Sequence, residues 1–283
     1  MDNPLENVKN NIAELTAAQR KVADYIIQHP SETAFLTVDQ LAREVGTSTT
    51  TIMRLTFHLG YTGYSEFQKG MQGVLRNKAA PHTRLETNLQ HMDDSDLWGH
   101  TVNRHVEQIE NMRGLISTDY LDTVVDEVLD AGRIFCTSVR SGLPVGQYLT
   151  HGLNRTLGNT QLVIADMSDW IDEVIHMKAS DVIIATSFPR YAQRIIDYVK
   201  EAKQRNVTVI AITDSYSAPI VEYADYILPC DSSSAAFHNS PVAAMIAADY
   251  IISAAAIRNS EKTRERLDEV NNILTNIQYH HNR

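Results

Sequence analysis

The sequence predicts an all-α amino-terminal domain with a helix-turn-helix, followed by an α/β domain built on a five-stranded parallel sheet with helices on both faces. Two observations predict it. Up to residue 78, apolar residues recur at three- and four-residue spacing behind capping signatures. From Arg133 the texture changes to short runs rich in Val and Ile that alternate with amphipathic segments, the cadence of a βαβ chain whose strands are covered on both faces. Between the two lies NKAAPHTR, residues 77–84, with an Ala-Pro step and little apolar patterning. The domains are therefore placed at 1–78 and 95–283, with a linker over 79–94.

In the front domain, TAAQRKVADYIIQHP opens with Thr16 and Gln19 spaced as a capping box, and Val22, Tyr25 and Ile26 form one stripe. The helix ends before Pro30. TVDQLAREVG repeats the signature with Thr37 and Gln40, buries Leu41 and Val45, and exits at Gly46. STTTIMRLTFHLG follows, with Ser48 as cap, Ile52, Leu55 and Leu59 facing inward and Gly60 as the stop. A further helix is signalled by Ser65 and Gln68, with Tyr64, Phe67 and Met71 covering the core.

Two short helices around a Gly-containing turn make a helix-turn-helix, and the second has the polar outer face that base reading needs. Ser48, Thr49, Thr50, Met53 and Arg54 lie near that face or its leading end. Threonine can donate, accept and present a methyl to thymine, arginine can hold guanine or phosphate, and free N–H groups at a helix start can bind phosphate. Lys69, with Arg76 and Lys78, is placed to touch the DNA backbone. The same pattern also fits a plain three-helix packing unit with Arg54 in a salt bridge and the lysines solvated.

In the rear domain, residues 95–130 read as helical, and the strands are RIFCT (133–137), QLVIA (161–165), DVIIAT (181–186), VTVIAIT (207–213) and YILP (226–229). Helical segments such as VGQYLTHGLNRTLG and YAQRIIDYVKEAKQRN separate them, and two helices close the domain. The first of these, Pro241 to Ile257, is apolar around most of its circumference and requires burial in the domain or against a second subunit. Open parallel sheets bind ligands at the carboxyl ends of their strands. There, Ser138, Arg140 and Ser141 follow the first strand ahead of a helix starting around Pro144, and Thr186, Ser187 and Arg190 follow the third. Hydroxyls, helix-start N–H groups and guanidinium groups together suit a phosphate or carboxylate, while helix caps with solvated arginines are the plainer reading. His238 also stands within reach of a strand-end ligand. Asp166, Asp169, Asp172, Glu173 and His176 cluster after strand two and keep an enzyme reading open, in which Glu173, His176 or His238 acts as the base. No metal-ligand spacing, GxGxxG or GxxxxGK[ST] occurs, so neither a metal nor a nucleotide cofactor is expected.

Charge and composition limit the partners. The chain carries 25 Lys and Arg against 35 Asp and Glu, a formal charge of -10, which excludes wholesale coating of nucleic acid. Residues 1–78 hold 8 basic and 8 acidic side chains while the remainder holds 17 and 27, so the front domain approaches DNA with less repulsion. Cys136 and Cys230 each adjoin an apolar run and read as reduced, buried thiols. No apolar stretch approaches 18 residues and no signal segment opens the chain, so a cytoplasmic protein without membrane contact is expected.

LTAAQRKVADYIIQHP and LTVDQLAREVGTSTTTIMRLTFHLGYTGYSEFQ closely resemble the helix-turn-helix domain of the RpiR/MurR family of bacterial transcriptional regulators. Leu121 to Ile257, above all DVIIATSFPRY and VTVIAITDSYSAPIVEYADYILP, resembles the sugar isomerase (SIS) domain that serves that family as effector sensor. The resemblance implies a regulator without catalytic residues, acting as a repressor of a carbohydrate or small-metabolite operon. It implies a homodimer or homotetramer on an inverted-repeat operator, and a small anionic effector such as a sugar phosphate or sugar acid. A SIS-fold sugar or sugar-phosphate isomerase with an accessory helical domain is the alternative. The strand-three loop departs from the family's Ser-x-Ser-Gly-x-Thr: here Ser187 is followed by Phe188, Pro189, Arg190, Tyr191 and Ala192. After strand one, Thr137, Val139 and Arg140 precede the retained Ser141, so the loops lose hydroxyls and gain two arginines.

Overall fold

The computed structural model describes residues 3–78, 80–91, 96–167 and 169–279. The chain divides into two compact units, Met1–Gln90 and His91–Arg283.

The first unit is helical throughout: α1 (Pro4–Asn11), α2 (Ala17–Gln28), the single turn α3 (Pro30–Thr33), α4 (Val38–Val45), α5 (Thr49–His58), α6 (Tyr64–Lys78) and α7 (Pro81–His91). Both expected capping boxes close in both directions, Thr16 with Gln19 and Thr37 with Gln40. Gly46 ends α4 at φ 65°, a left-handed conformation that glycine adopts without a Cβ penalty, and Ser48 caps α5 through the Thr51 N–H. The sequence places the next cap at Ser65, but α6 already begins at Tyr64, because Glu66 reaches back to accept from the Thr62 N–H at 2.7 Å and its hydroxyl at 2.8 Å. Those two bonds hold the Glu66 carboxyl below the usual carboxylate range. The stretch read as a linker is helical over Pro81–His91.

The core of this unit gathers Val22, Ile26, Leu41, Val45, Ile52, Leu55, Leu59, Phe67 and Met71. From α6, Tyr64 and Gln68 each donate to the Leu36 carbonyl at 2.8 Å and Gln72 to that of Ala34 at 2.9 Å. These bonds satisfy the chain that enters α4 and so set the first helix of the helix-turn-helix on α6. Phe67 is fully buried, edge-on to Tyr61 with ring centroids 5.3 Å apart. A Phe67→Ala protein is expected to lose about 3–5 kcal/mol of stability in this unit, read as an early first transition in denaturant unfolding. A single unchanged transition would contradict this packing.

The second unit opens with α8 (Leu97–Leu115) and α9 (Thr118–Asp130), so the helical stretch expected over 95–130 is broken at Ile116 and Ser117, where Ser117 caps α9. The strands are β1 (Ile134–Thr137), β2 (Thr160–Val163), β3 (Val182–Ser187), β4 (Thr208–Thr213) and β5 (Tyr226–Pro229), all parallel in the order β2-β1-β3-β4-β5. They are joined or followed by α10 (Leu143–Thr156), α11 (Trp170–Ile175), α12 (Gln193–Lys203), α13 (Val242–Arg258) and α14 (Ser260–Asn276). One sheet face packs on residues of α9, α10 and α13, the other on α11 and α12. Ala243, Ala244, Ala247, Ala248, Ile251 and Ala255 bury one side of α13 in the domain itself, and Ile246 and Ile257 stay exposed. Cys136 and Cys230 are free and buried, and burial pushes each thiol up to about 12. Among the described residues no single helix is long and apolar enough to cross a membrane.

In this order the connection leaving β1 goes to β2 on one side and the connection leaving β3 goes to β4 on the other, so the crevice between the carboxyl ends of β1 and β3 is the topological switch point.

Candidate DNA-reading helix and candidate effector site

On α5 the buried face is Ile52, Leu55 and Thr56, and the helix presents Thr50, Arg54 and Phe57 on the opposite side, at i, i+4 and i+7. Arg54 is exposed and has no partner among the described residues. No acidic residue occurs from Thr47 to Gly60, and the Glu14 carboxylate approaches the helix at its trailing end, 3.8 Å from His58 Nε2. Ser48 is committed to its cap, with its hydroxyl also 3.0 Å from that of Thr51. The N–H groups of Thr49 and Thr50, in the first turn, have no intrahelical acceptor. Met53 is half-buried against the core, its methyl 3.7 Å from where a Gly63 Cβ would stand, so it shapes the entry to α6 more than it faces outward. Lys69 is exposed on α6, and the side chains of Arg76 and Lys78 lie outside the described residues. Two further residues come to this surface: Phe57, 54% exposed, and Lys21, whose Nζ lies 3.4 Å from the Cβ position of Gly46 and therefore over the turn. No local pattern announces Lys21, because the packing of α2 beside α4 brings it there.

At the carboxyl edge of the sheet the expected loops do meet. Thr137 pairs with Ala185, and continuing the register sets Ser138 beside Thr186. Gly142, at the start of α10, lies against both: a Cβ there would stand 3.1 Å from Thr186 Cγ2 and 3.5 Å from Ser138 Cβ. Alternation along a strand sends Thr137 and Ser187 to the other face. The hydroxyls of Thr137, Ser138, Thr186 and Ser187 are all buried and have no hydrogen-bond partner among the described residues. A buried hydroxyl left unpaired costs about 1–3 kcal/mol, so four at one strand edge mark a place where acceptors or donors are held for something else. Neither α10 nor α12, the helices starting here, has a capping side chain. At α10 the Leu143 N–H is taken by the Arg140 carbonyl and Pro144 has none, so the expected open N–H groups remain only at the first residues of α12, ahead of Ile195, whose N–H donates to the Ala192 carbonyl at 3.0 Å.

Arg140 and Arg190 stand at the lips of the two loops with φ of 51° and 74°. Left-handed backbone costs a non-glycine residue about 1–2 kcal/mol, and neither guanidinium has a partner among the described residues. Ser141 is half-buried in the single turn Arg140–Gly142, next to them. His238 is exposed after β5, edge-on to Phe237, and its carbonyl accepts from the Ser234 hydroxyl at 2.7 Å. Thr137 is absent from the sequence-based set, although its place beside Ser138 at a strand end is the signal that could have found it.

Glu173 and His176 go elsewhere. Glu173 accepts from Gln161 at 2.9 Å, and the His176 carbonyl accepts from Arg133 at 2.7 Å, just ahead of β1. Arg133 is itself held by buried Asp181, ahead of β3, at 2.6 Å. These bonds pin α11 and its tail toward the amino end of the sheet, away from the hydroxyl cluster. Among the described residues no group of three or more His, Cys, Asp or Glu is placed to hold a metal ion.

Next to the cluster, at the end of β4, Tyr191 donates to the Asp214 carboxylate at 3.1 and 3.2 Å and so moors the strand-three loop. Burial pushes the Asp214 carboxyl above its usual range even though the Tyr191 hydroxyl works in the opposite direction. A carboxyl whose folded value is raised supports the fold fully in its protonated form and loses that contribution as pH rises through the folded value. Asp214→Asn keeps an acceptor for Tyr191 and removes the charge. Its thermal stability is expected to match the parent below about pH 4, to exceed it increasingly as pH rises through the raised folded value, and to keep a constant excess beyond that. A difference independent of pH would contradict this assignment.

Residues 2–78 match the model of the rpiR-family helix-turn-helix domain, and residues 127–258 match the SIS domain model. The chain has the architecture of the RpiR family of transcriptional regulators. An HTH-type transcriptional regulator of Haemophilus influenzae is 26% identical over 80% of this chain and 79% of its own length. Another from Clostridium perfringens is 21% identical over 86% of each. Among solved structures, the Vibrio vulnificus NanR protein complexed with ManNAc-6P covers 97% of the chain, and 99% of NanR is covered, with a TM-score of 0.68 at 21% identity. The sugar isomerase domain of an RpiR transcription factor from Sphaerobacter thermophilus covers 63% of the chain and 99% of its own, at 0.61 and 21%. The NanR likeness shows the two-part fold, a helical helix-turn-helix region and a parallel SIS sheet flanked by helices, and the Sphaerobacter likeness shows its SIS part.

Proposed function

We propose that this protein is an RpiR-family repressor that reads an inverted-repeat operator as a homodimer or pair of dimers, and that a small anionic metabolite bound between β1 and β3 controls it without being turned over. The observation that carries the effector reading is the set of four buried, unpartnered hydroxyls at the carboxyl ends of β1 and β3, at the start of the two loops that hold Arg140 and Arg190. The open start of α12 and the two partnerless guanidinium groups favour an anion over a neutral sugar. That NanR is complexed with ManNAc-6P supports a sugar phosphate, and the two added arginines equally suit a sugar acid. Ser138, Ser141, Thr186 and Ser187, with Thr137, supply the hydroxyls, and His238 lines the outer rim. On the DNA side, Thr50 and Arg54 read base edges, Ser48 and Thr49 hold the leading end of α5 near a phosphate, and Lys69 and Lys21 contact the backbone. One recognition helix buries too little to single out a genomic site, which is why two copies are required.

The absence of turnover rests on chemistry. Neither loop pairs a nucleophile with a base, and Glu173 and His176 are bonded near the opposite end of the strands. The test is a thermal-shift screen of the full chain against phosphorylated sugars, sugar acids and other carboxylates, with product analysis of every hit. Binding without product, weakened in Arg140→Ala and Arg190→Ala proteins, is expected. Turnover abolished by replacing His238 would overturn the sensor reading, and a neutral ligand indifferent to both arginines would overturn the anion.

A further inference from the structure

The irregular stretch between β5 and α13, residues 230–241, also lies at the carboxyl edge of the sheet, and it is braced rather than loose. The Ser240 N–H donates to the Ser232 carbonyl at 2.7 Å, the Ser234 hydroxyl to the His238 carbonyl at 2.7 Å, and the Ser233 N–H to Asp231 at 2.7 Å. Two side chains tie this segment to its surroundings. Asn239 Nδ2 donates at 3.1 Å to the carbonyl of Pro189, the residue before Arg190. On the other side, Gln108 Nε2 of α8 donates to the Ser233 carbonyl at 2.9 Å and its hydroxyl at 2.8 Å.

Gln108 is 4% exposed, and its amide oxygen is engaged by His105 Nδ1 at 2.7 Å. It and Met112 are the buried residues of α8, and Met112 Sδ receives the Cys230 thiol at 3.5 Å. Both therefore grip the start of the same segment. Packing alone would be served as well by leucine at 108, since a buried amide adds desolvation cost that only its hydrogen bonds offset.

We infer that Gln108 is a positioning residue through which α8 follows the state of the effector loop, along the route Arg190–Pro189, Asn239, Ser233, Gln108. The inference rests on the reading of the β1–β3 crevice as the effector site. A ligand that draws Arg190 inward moves the Pro189 carbonyl, and the cross-braced segment passes that displacement on because it does not absorb it. α8 is the helix by which the chain enters this unit, so its response is the one that an effector signal toward the DNA-reading unit requires.

The test is hydrogen exchange read by mass spectrometry on the full chain, with sodium phosphate as the probe against sodium chloride at equal ionic strength. The proteins are the parent, Gln108→Leu and Asn239→Ala, which cuts the route at its other end and decides alone if the first variant does not fold. Phosphate is expected to slow exchange at 137–142 and 186–191 in all three, and to slow α8 roughly fivefold or more in the parent only, the low end of ordinary coupling. Slowing of α8 that persists in the variants overturns the inference and leaves the effector site standing. No slowing at the two loops of the parent overturns the site reading and this inference with it.

Discussion

An Arg54→Ala protein keeps its fold and loses about ten- to a hundredfold of its affinity for the duplex that the parent selects. The guanidinium is exposed and partnerless, so its removal costs the folded state little, within about 0.5 kcal/mol. On DNA it makes either a bidentate contact to guanine or a phosphate contact, worth about 1–3 kcal/mol. The two contacts differ in salt dependence: loss of a phosphate contact lowers the slope of log affinity against log salt by about one, whereas loss of a base contact relaxes specificity at one position. Fluorescence anisotropy at several salt concentrations separates them. Undiminished binding at matched salt would remove Arg54 from the interface.

The second large effect is expected from a Thr186→Val, Ser187→Ala protein. Both hydroxyls are buried and unpartnered, so deleting them removes a desolvation penalty of about 1–3 kcal/mol each and breaks no bond that their side chains make. Without ligand the variant should melt at or above the parent's temperature. With ligand it should be blind, since a hydrogen bond to a charged group is worth about 1.5–3 kcal/mol and two are lost, roughly a hundredfold or more in affinity. A fall in melting temperature with unchanged ligand affinity would show that these hydroxyls serve the fold and not a ligand.

How much of this was legible in the sequence follows from how local each signal is. The capping boxes at Thr16 and Thr37 and the left-handed turn at Gly46 are written within four or five residues, and each stands where the pattern puts it. The strands fall within a residue or two of the expected runs because Val and Ile on both faces leave little choice of register. The start of α6 differs from the expected one because Ser65 and Gln68 carry the three-residue capping spacing, whereas the pair that bonds, Thr62 and Glu66, is four residues apart and shows no such pattern. Met53, expected near the outer face, is half-buried, and Phe57, which the pattern leaves without a role, is exposed, because a helix ten residues long turns its apolar stripe by an amount that only its neighbours decide. The direction of Glu173 and His176 depends on Arg133 and Asp181, which meet across 48 residues of chain. The same holds for Gln108, whose partner lies 125 residues away and which reads in the sequence as one more surface position on a long helix.

The central claim is that the hydroxyl cluster between β1 and β3 receives an anion that alters DNA affinity. It is tested most directly by titrating the parent's selected duplex with the full chain, with and without each phosphorylated sugar and sugar acid, in the parent and in the Thr186→Val, Ser187→Ala protein. At least one anionic compound should change the parent's affinity by roughly fivefold or more and leave the variant's unchanged. An equal change in both proteins, or no anionic compound that changes the parent's affinity, would contradict the account.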